Sequence, residues 1–214
     1  MSTYQKLGWT VAGCDVNAEA VDIAINNGLN AQVGTVEAIN YAPQSFDVIN
    51  MGDVIEHVSS PSKTLQLAYQ LLKPNGIIVI RTPNAQSSFS LSTLFLSRMT
   101  GFPWAHSEAP YHLFEFTPKS MQELVKKVGF LPAEIMTSGK APFLYTVGGT
   151  GFFDELKRNL KSSGNYQIKV TAISYIPKLI AVTCLLIPFY LYSRIADWIQ
   201  HNGHSMTVIT RRPI

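Results

Sequence analysis

Acidic and imidazole side chains follow a short apolar run at Phe46–Met51. Gly52 and Asp53 end this run, and Glu56 and His57 come directly after it. Carboxyl and imidazole groups are the side chains that most often move protons in enzymes. The apolar run predicts a strand, and ligands of open α/β sheets bind beyond the carboxyl ends of the strands. The pattern therefore predicts a functional edge of the sheet at this point.

The elements that must position these residues form a βαβ unit. Ser60-Pro61 begins a predicted helix with its apolar residues on roughly one face, and Lys73-Pro74-Asn75-Gly76 ends it. The β-branched run Ile77–Ile80 is typical of a strand that is buried on both faces. Thr82–Asn84 follows that strand, so we expect it at the same edge as the acidic cluster.

A further acidic residue ends a strand earlier in the chain. Asp15 follows the predicted strand Trp9–Cys14 and precedes a helix that starts near Asn17. An acidic residue at this position holds the hydroxyls of a ribose in nucleotide-binding folds. An aspartate there also serves simply as the cap of the helix that follows. Position alone leaves both roles of Asp15 open.

Composition limits the class of protein. The 214 residues fit one domain, 46% of them are hydrophobic, only 14% are charged, and the net charge is +3. No basic run indicates a nucleic-acid surface. Cys14 and Cys184 lie in apolar contexts, which predicts buried, reduced thiols, and the first residues lack the apolar stretch of a secretory signal. We expect a cytoplasmic protein, with the membrane surface as the alternative because charged residues are few.

Four motifs stand in a fixed order along the chain: GWTVAGCDVN, FDVINMGDVIEHV, LLKPNGIIVIRTPN and HLFEFTPKSMQELVKKVGF. Together they resemble the class I S-adenosylmethionine-dependent methyltransferases, in the branch that contains the ubiquinone-biosynthesis O-methyltransferases. The resemblance covers Gly8 to about Ser138 and a last strand at Ser205–Arg211. It implies an α/β fold of the Rossmann-like, doubly wound type, with a mostly parallel sheet and an antiparallel last strand.

The resemblance implies S-adenosyl-L-methionine as the cofactor and assigns residues to it. The family's acidic residue beside the adenine is replaced by Thr35 here, which leaves a backbone N–H as the available contact. The assigned residues are Asp15 and Val16 at the ribose, Thr35 and Val36 at the adenine, and Met51 and Gly52 around the methionine part.

The same resemblance suggests a divalent metal as a second ligand. Asp53, Glu56 and His57 resemble an acidic, Glu-His cluster that some quinone O-methyltransferases use for this purpose. Carboxylate and imidazole ligands suit magnesium, manganese or zinc. Glu56 and His57 are adjacent, however, and their side chains diverge if the segment is helical, so the sequence leaves the metal hypothesis open.

One family motif has no counterpart in this sequence. A first strand and a glycine-rich loop, of the pattern D-x-G-x-G-x-G, are expected before the helix that ends at Leu7. Glycine is needed there because the backbone approaches the cofactor closely. The sequence therefore predicts an N-terminally truncated fold without its first strand, and impaired methyl transfer by this chain.

A substrate-cover segment is expected at residues 85–115. It is rich in serine and aromatic residues, and it contains His106 and His112. An imidazole near its ordinary pKa can take the proton of a hydroxyl during O-methylation. His112 is the candidate catalytic base because it adjoins HLFEFTP, although a histidine in a loop also packs without any catalytic role.

A hydrophobic helical insertion is expected at residues 166–200. Its core, Leu179–Tyr192, is uncharged and shorter than the roughly 20 apolar residues that a spanning helix requires. Three interpretations stay open. The segment is a helix buried at an interface, such as one between copies of this chain in a homo-oligomer, or an interfacial membrane helix, or a true span. We favour the first two because the last strand must rejoin the sheet.

Three functions are candidates on this basis. The first is a methyltransferase for a small or lipid-like acceptor, with O-methylation if that acceptor is a hydroxyl. The second is a non-catalytic methyltransferase-like remnant that acts through residues 166–200 at a membrane or in an oligomer. The third, a nicotinamide-dependent dehydrogenase, shares Asp15 but does not account for the Glu-His turn.

Overall fold

The computed structural model describes residues 1–100, 112–139, 187–188, 190–196 and 202–214. Besides a helical stretch at 190–196, eleven helices and strands lie in these ranges, and their order confirms the predicted α/β class. They are α1 (Ser2–Lys6), β1 (Ala12–Asp15), α2 (Ala18–Asn26), β2 (Asn30–Val33), β3 (Phe46–Gly52), α3 (Pro61–Leu71), β4 (Leu72–Pro83), α4 (Ser88–Thr100), α5 (Pro118–Val128), β5 (Glu134–Ser138) and β6 (Ser205–Arg211).

The strands form two sheets. β1 and β2 make a parallel two-stranded sheet, and the other strands make a four-stranded sheet in the order β3-β4-β6-β5. β3 and β4 are parallel, whereas β6 runs antiparallel to both β4 and β5. The predicted antiparallel last strand is confirmed. Within the described residues, β1 and β3 pair with only one neighbour each.

The hydrophobic core lies on one face of the four-stranded sheet. Ile78 and Ile80 of β4 and Val208 of β6 are fully buried there. Apolar side chains of α3 and α5 pack onto the same face; they are Leu65, Ala68, Met121 and Val125. Ile77 and Val79 point the other way and are only half-buried. The prediction of a strand buried on both faces is wrong, because both packed helices cover one side.

The predicted turn at Lys73–Gly76 is a bulge inside β4. Phe46 of β3 pairs with Leu72, but Val48 pairs with Ile77, so the residues between them loop out of the ladder. Asn75 has a φ of 62°, which asparagine tolerates better than most residues. A Cβ on Gly76 would lie 2.8 Å from the carbonyl oxygen of Lys73. Residues 73–76 therefore form a bulge near the beginning of β4, and no separate turn lies between α3 and β4.

The two-stranded sheet has little core. Among residues 1–34 only Val21 of α2 is buried, although Asn17 caps that helix by accepting hydrogen bonds from the N–H groups of Glu19 and Ala20. Cys14 is exposed, so the prediction of a buried thiol is wrong for it. Residues 1–34 bury only Val21, so this sheet has little packing that could cover the thiol. Cys184 falls outside the described residues.

The loop between β2 and β3 links the two sheets. The hydroxyl of Tyr41 donates to the carbonyl oxygen of Gly13 in β1, at 3.2 Å. Its ring meets that of Phe46, at the start of β3, edge to face with centroids 5.1 Å apart. One side chain thus contacts both sheets.

Most of the predicted helical insertion and part of the predicted cover segment lie outside the described residues. The described part of the insertion includes a helical stretch at 190–196, and the cover segment contains α4. Within the described ranges, no helix combines the length and apolar character that crossing a bilayer demands.

Candidate functional site

The carboxyl ends of β3 and β4 meet as the sequence predicted. Gly52 pairs with Arg81, and the N–H of Asp53 donates to the carbonyl oxygen of Arg81 at 2.8 Å. Asp53 has a φ of 52°, a left-handed conformation that non-glycine residues adopt mainly in turns and at functional sites. This turn directs the chain away from the sheet and back across the end of β4.

The turn buries Glu56 at the end of the sheet. Only 1% of the Glu56 surface is exposed, and its Oε2 accepts a 2.9 Å hydrogen bond from the hydroxyl of Thr82 in β4. Burial raises the pKa of Glu56; a backbone hydrogen bond, the Thr82 hydroxyl and nearby His57 lower it in part, and Asp53 raises it further. Oε1 makes no hydrogen bond to the part of the chain that the structure describes.

The segment after residue 111 is held against this turn. The carbonyl oxygen of Glu56 accepts hydrogen bonds from the N–H groups of Leu113, at 2.8 Å, and Phe114, at 3.2 Å. These two bonds bring His112 beside a residue more than fifty positions earlier. The His112 side chain is 12% exposed, and its Nδ1 lies 3.6 Å from Oε1 of Glu115.

Glu56, His57 and His112 form one cluster of potential ligand atoms. One atom from each of the three lies within 4.8 Å of the others. The two imidazole rings meet at a centroid distance of 4.8 Å and an angle of 64°, and His57 Nε2 lies 4.0 Å from Oε1 of Glu56. Of the three predicted metal residues, Glu56 and His57 are brought together, while Asp53 lies outside this group.

The donor set of the cluster fits a divalent cation. One buried carboxylate oxygen and two imidazoles suit zinc or manganese, and a carboxylate alone suits magnesium. The buried Oε1 of Glu56 supports this fit, because a desolvated carboxylate oxygen gains most from a positive charge. His112 was predicted as a base and not as a ligand, so its place in this cluster is a finding of the structure.

The predicted cofactor residues lie at two places. Asp15 ends β1 beside the end of β2, where its carbonyl oxygen accepts from the N–H of Gly34 at 2.9 Å. Its Oδ1 accepts from the N–H of Asn17 at 2.8 Å, but Asn17 itself caps α2, so the helix-cap interpretation of Asp15 is wrong. Val16 and Thr35 are exposed and Val36 is half-buried on this sheet.

Met51 and Gly52 belong to the other sheet. They are the last two residues of β3, where Met51 is buried and Gly52 is exposed. They lie at the same strand end as the turn that carries Glu56. The assignments of all six residues to the cofactor stay predictions.

Two polar contacts near the site were not predicted. The first is the Thr82–Glu56 hydrogen bond; Thr82 was assigned to the functional edge, but no role was given to its hydroxyl. The second joins Glu37, two residues after Thr35, to the hydroxyl of Thr64 in α3 at 2.8 Å. Burial acts to raise the pKa of Glu37, but hydrogen bonds, chiefly from Thr64, and the charge of Lys63 leave it below its ordinary value.

Comparison with known proteins places the chain in a family. A family model described as a methyltransferase domain matches residues 1–134. The mitochondrial ubiquinone biosynthesis O-methyltransferase of Mus musculus is 32% identical over 45% of this chain and 29% of its own length. The ubiquinone biosynthesis O-methyltransferase of Cereibacter sphaeroides is 28% identical over 60% of this chain and 54% of its own length.

Solved structures agree on the fold. A SAM-dependent methyltransferase from Archaeoglobus fulgidus superposes with a TM-score of 0.59 at 15% identity, covering 99% of this chain and 80% of that one. The chain spans about half or less of the length of the two curated relatives above. Sequence motifs, fold and family match lead to the same conclusion: the chain belongs to the class I S-adenosyl-L-methionine-dependent methyltransferases, and its sequence is similar to the ubiquinone biosynthesis O-methyltransferases.

Proposed function

We propose that this chain is part of an enzyme that moves a methyl group from S-adenosyl-L-methionine to an oxygen of a small or lipid-like acceptor. The observation that supports this proposal is the Glu56–His57–His112 cluster at the carboxyl end of β3. Met51 and Gly52 end β3 just before the turn that carries Glu56 and His57, and they are the residues assigned to the methionine part of the cofactor. The cluster is therefore next to the place where the methyl group would be presented.

The reaction requires one bond to form and one to break. The acceptor oxygen bonds to the methyl carbon as the carbon–sulfur bond of the sulfonium breaks, which leaves S-adenosylhomocysteine, and the acceptor hydroxyl gives up its proton. Orientation of the two reactants supplies much of the rate enhancement in such a displacement. Because a neutral hydroxyl is a weak nucleophile, a group that takes its proton adds to the rate.

His112 is the proposed base. A neutral imidazole accepts a proton near physiological pH, and the carboxylate of Glu115 lies 3.6 Å from Nδ1. That carboxylate would stabilise the imidazolium ion formed when the acceptor proton is taken. Glu115 thus has the role of orienting and stabilising the base.

A divalent cation would be held by Glu56, His57 and His112. When bound, such an ion lowers the pKa of a coordinated hydroxyl and so favours the nucleophilic alkoxide or phenolate. His112 would then use one ring nitrogen for the ion, so its two proposed roles compete at that nitrogen. Chelation distinguishes them: if His112 acts as a base alone, methyl transfer persists in EDTA, whereas loss of transfer on chelation and its return with Mn²⁺ favour the ligand role.

Asp15 is proposed to hold the ribose of the cofactor. Replacing it by alanine should weaken binding of S-adenosyl-L-methionine in titration calorimetry. Asp22→Ala is the matched control, because Asp22 lies exposed on the adjoining α2 and has no proposed ligand. Equal affinities of the two variants would overturn the role of Asp15.

Cofactor and acceptor binding test the main proposal. The chain, and the same chain extended upstream in frame, are titrated with S-adenosyl-L-methionine and then incubated with radiolabelled cofactor and a catechol. The relatives named above suggest a hydroxyl-bearing ubiquinone precursor as the natural acceptor, and a catechol represents that chemistry. Binding with transfer to oxygen supports the proposal, whereas absence of cofactor binding by both proteins would overturn it.

Exposed apolar side chains suggest how the protein would reach a lipid-like acceptor. Leu91 and Phe95 lie exposed on α4, and Leu191, Tyr192 and Ile195 are exposed at 190–196. Large apolar groups that face outward at helical spacing suit a lipid surface. We propose peripheral membrane contact here, with self-association as the competing outcome. The original chain and the Leu191→Ser/Ile195→Ser variant are both measured by flotation with phosphatidylcholine vesicles and by analytical sedimentation. Weaker flotation of the variant supports membrane contact, and a smaller sedimenting species supports self-association. If the variant behaves as the original chain does in both measurements, both proposals are contradicted.

A further inference from the structure

Thr82 is a fully buried polar residue at the edge of the core. It lies on the same face of β4 as Ile78 and Ile80, all three with 0% exposure. A hydroxyl at such a position loses its hydration, which is unfavourable unless a partner is present. Its partner is Oε2 of Glu56 at 2.9 Å, so the two buried polar groups satisfy each other.

This hydrogen bond makes the two oxygens of Glu56 unequal. Oε2 is committed to the Thr82 hydroxyl, while Oε1 is the oxygen that lies 4.0 Å from Nε2 of His57. If the plane of the carboxylate turned away from this orientation, the hydroxyl would lose its acceptor. The contact therefore fixes that plane and keeps the second oxygen directed toward His57.

Thr82 is itself held in place more firmly than Glu56. It belongs to a central strand, pairing with Met206 of β6, while its neighbour Arg81 pairs with Gly52 of β3. A β-branched residue in a strand has a restricted χ1. A glutamate, in contrast, has three side-chain torsions and loses rotamer entropy when it is fixed. Because Thr82 is already ordered, its hydrogen bond offsets part of the rotamer entropy that Glu56 loses when its side chain is fixed.

We propose that Thr82 is a positioning residue for a cation bound by Glu56, His57 and His112. It acts through Glu56, by presenting Oε1 to the ion in the unbound protein. The inference rests on the cation-binding part of the proposed function. Groups behind the direct ligands commonly change metal affinity by about 10–100-fold, which sets the expected size of the effect.

The test measures Mn²⁺ binding to the EDTA-treated, dialysed chain by titration calorimetry. Thr82→Val keeps the shape and removes the donor, and it should weaken binding by about 10–100-fold. Thr82→Ser keeps the donor and should restore binding to nearly the original affinity. Thr82→Cys, a weak donor, should lie between them and replaces the valine variant if that variant does not fold.

A control variant removes a comparable hydrogen bond elsewhere. Thr210 in β6 is 3% exposed, and its hydroxyl donates to the carbonyl oxygen of Leu131 at 2.6 Å. Thr210→Val should lower stability to urea as Thr82→Val does, but leave Mn²⁺ affinity unchanged. This control separates general destabilisation from loss of positioning.

The outcomes distinguish the two levels of the argument. Mn²⁺ binding by the original chain with equal affinity in Thr82→Val overturns the role of Thr82 alone. No binding by the original chain overturns both that role and the cation-binding part of the proposed function. Binding of S-adenosyl-L-methionine, measured separately, tests the methyltransferase part independently of either result.

Discussion

The two sheets of this protein use similar backbone pairing but differ in what they bury. In the β1–β2 sheet and its two helices, Val21 is the single buried residue of positions 1–34. The four-stranded sheet has a continuous apolar cluster that includes Leu65, Ile80 and Val208. Because backbone hydrogen bonds contribute little net stability while apolar burial contributes about 25 cal/mol per Å², the second sheet should be the stable unit.

This difference divides the candidate site as well. Asp15 and Thr35, the residues proposed for the ribose and adenine, lie on the sparsely packed sheet. The cluster of Glu56, His57 and His112 lies on the well-packed one. If a ligand orders the β1–β2 sheet on binding, part of its binding free energy is used to offset the conformational entropy that this sheet loses. A ligand that binds the cluster meets side chains that are already largely ordered.

Truncation of a helix residue should show the largest contrast. Leu65→Ala in α3 removes a fully buried side chain and should lower the free energy of unfolding by about 2–5 kcal/mol. Ile23→Ala in α2 removes a side chain that is 57% exposed and should change it by less than about 0.5 kcal/mol. Urea unfolding followed by circular dichroism measures both; similar losses would show that the first sheet is packed after all.

Two glutamates should give pH dependences of opposite sign. Because burial raises the pKa of Glu56, the folded state holds its proton longer than the unfolded state. Its contribution to stability therefore falls as pH rises from the ordinary value of 4.5 through the raised pKa. For Glu37 the folded pKa is lowered, so its contribution is present above the ordinary value and lost as pH falls through the lowered one.

Gln substitutions isolate these two slopes. In chelator, Glu56→Gln should flatten the fall in stability above the ordinary carboxyl pKa. Glu37→Gln should remove the gain in stability that Glu37 gives as pH rises through its lowered pKa. This change should be smaller than that of Glu56→Gln, because Glu37 is exposed and its interactions are screened by water. Thermal unfolding between about pH 2 and pH 8 provides the measurement, because the two effects fall below and above the ordinary carboxyl pKa. Parallel curves for all three proteins would contradict both assignments.

Helix caps should show the smallest contrast. Thr117 caps α5 through a reciprocal pair of bonds with Ser120, and Thr117→Ala should lower global stability by about 1 kcal/mol. Asn17 caps α2, and Asn17→Ala loses comparable bonds. It should speed hydrogen exchange of α2 amides while leaving the global transition in place. A global loss as large as that of Thr117→Ala would mean that the two sheets unfold as one unit.

Local patterns predicted the parts of the fold that local chemistry determines. α5 begins at Pro118 and ends before Gly129, which has a φ of 110°; proline in the first turn and glycine after the last turn are usual helix boundaries. β6 occupies Ser205–Arg211 and is antiparallel to its neighbours, as expected for the last strand. The burial of β4 on one face was not predicted, because β-branched sequence reports strand preference and not which face a helix covers.

The site was predicted in its pieces and not in its assembly. Residues 52–57 and 82–84 were placed at one edge because parallel strands end together. The contact of His112 with His57 depends on two backbone bonds to Glu56 across a long stretch of chain, and no periodicity encodes such a contact. The Thr82 hydroxyl could have been suspected from a polar residue in register with Ile78 and Ile80, since a buried hydroxyl requires a partner.

The predicted cover segment, residues 85–115, is held by backbone hydrogen bonds at both ends. The N–H of Ala85 donates to the carbonyl oxygen of Phe116 at 2.9 Å, and Leu113 is bonded to Glu56. Lengthening a loop between fixed ends costs little free energy, since each doubling adds about 0.6 kcal/mol. Under the proposal that residues 85–115 cover the acceptor, exchanging residues between these two anchors is expected to change acceptor preference, while the backbone bond at Leu113 keeps His112 in place.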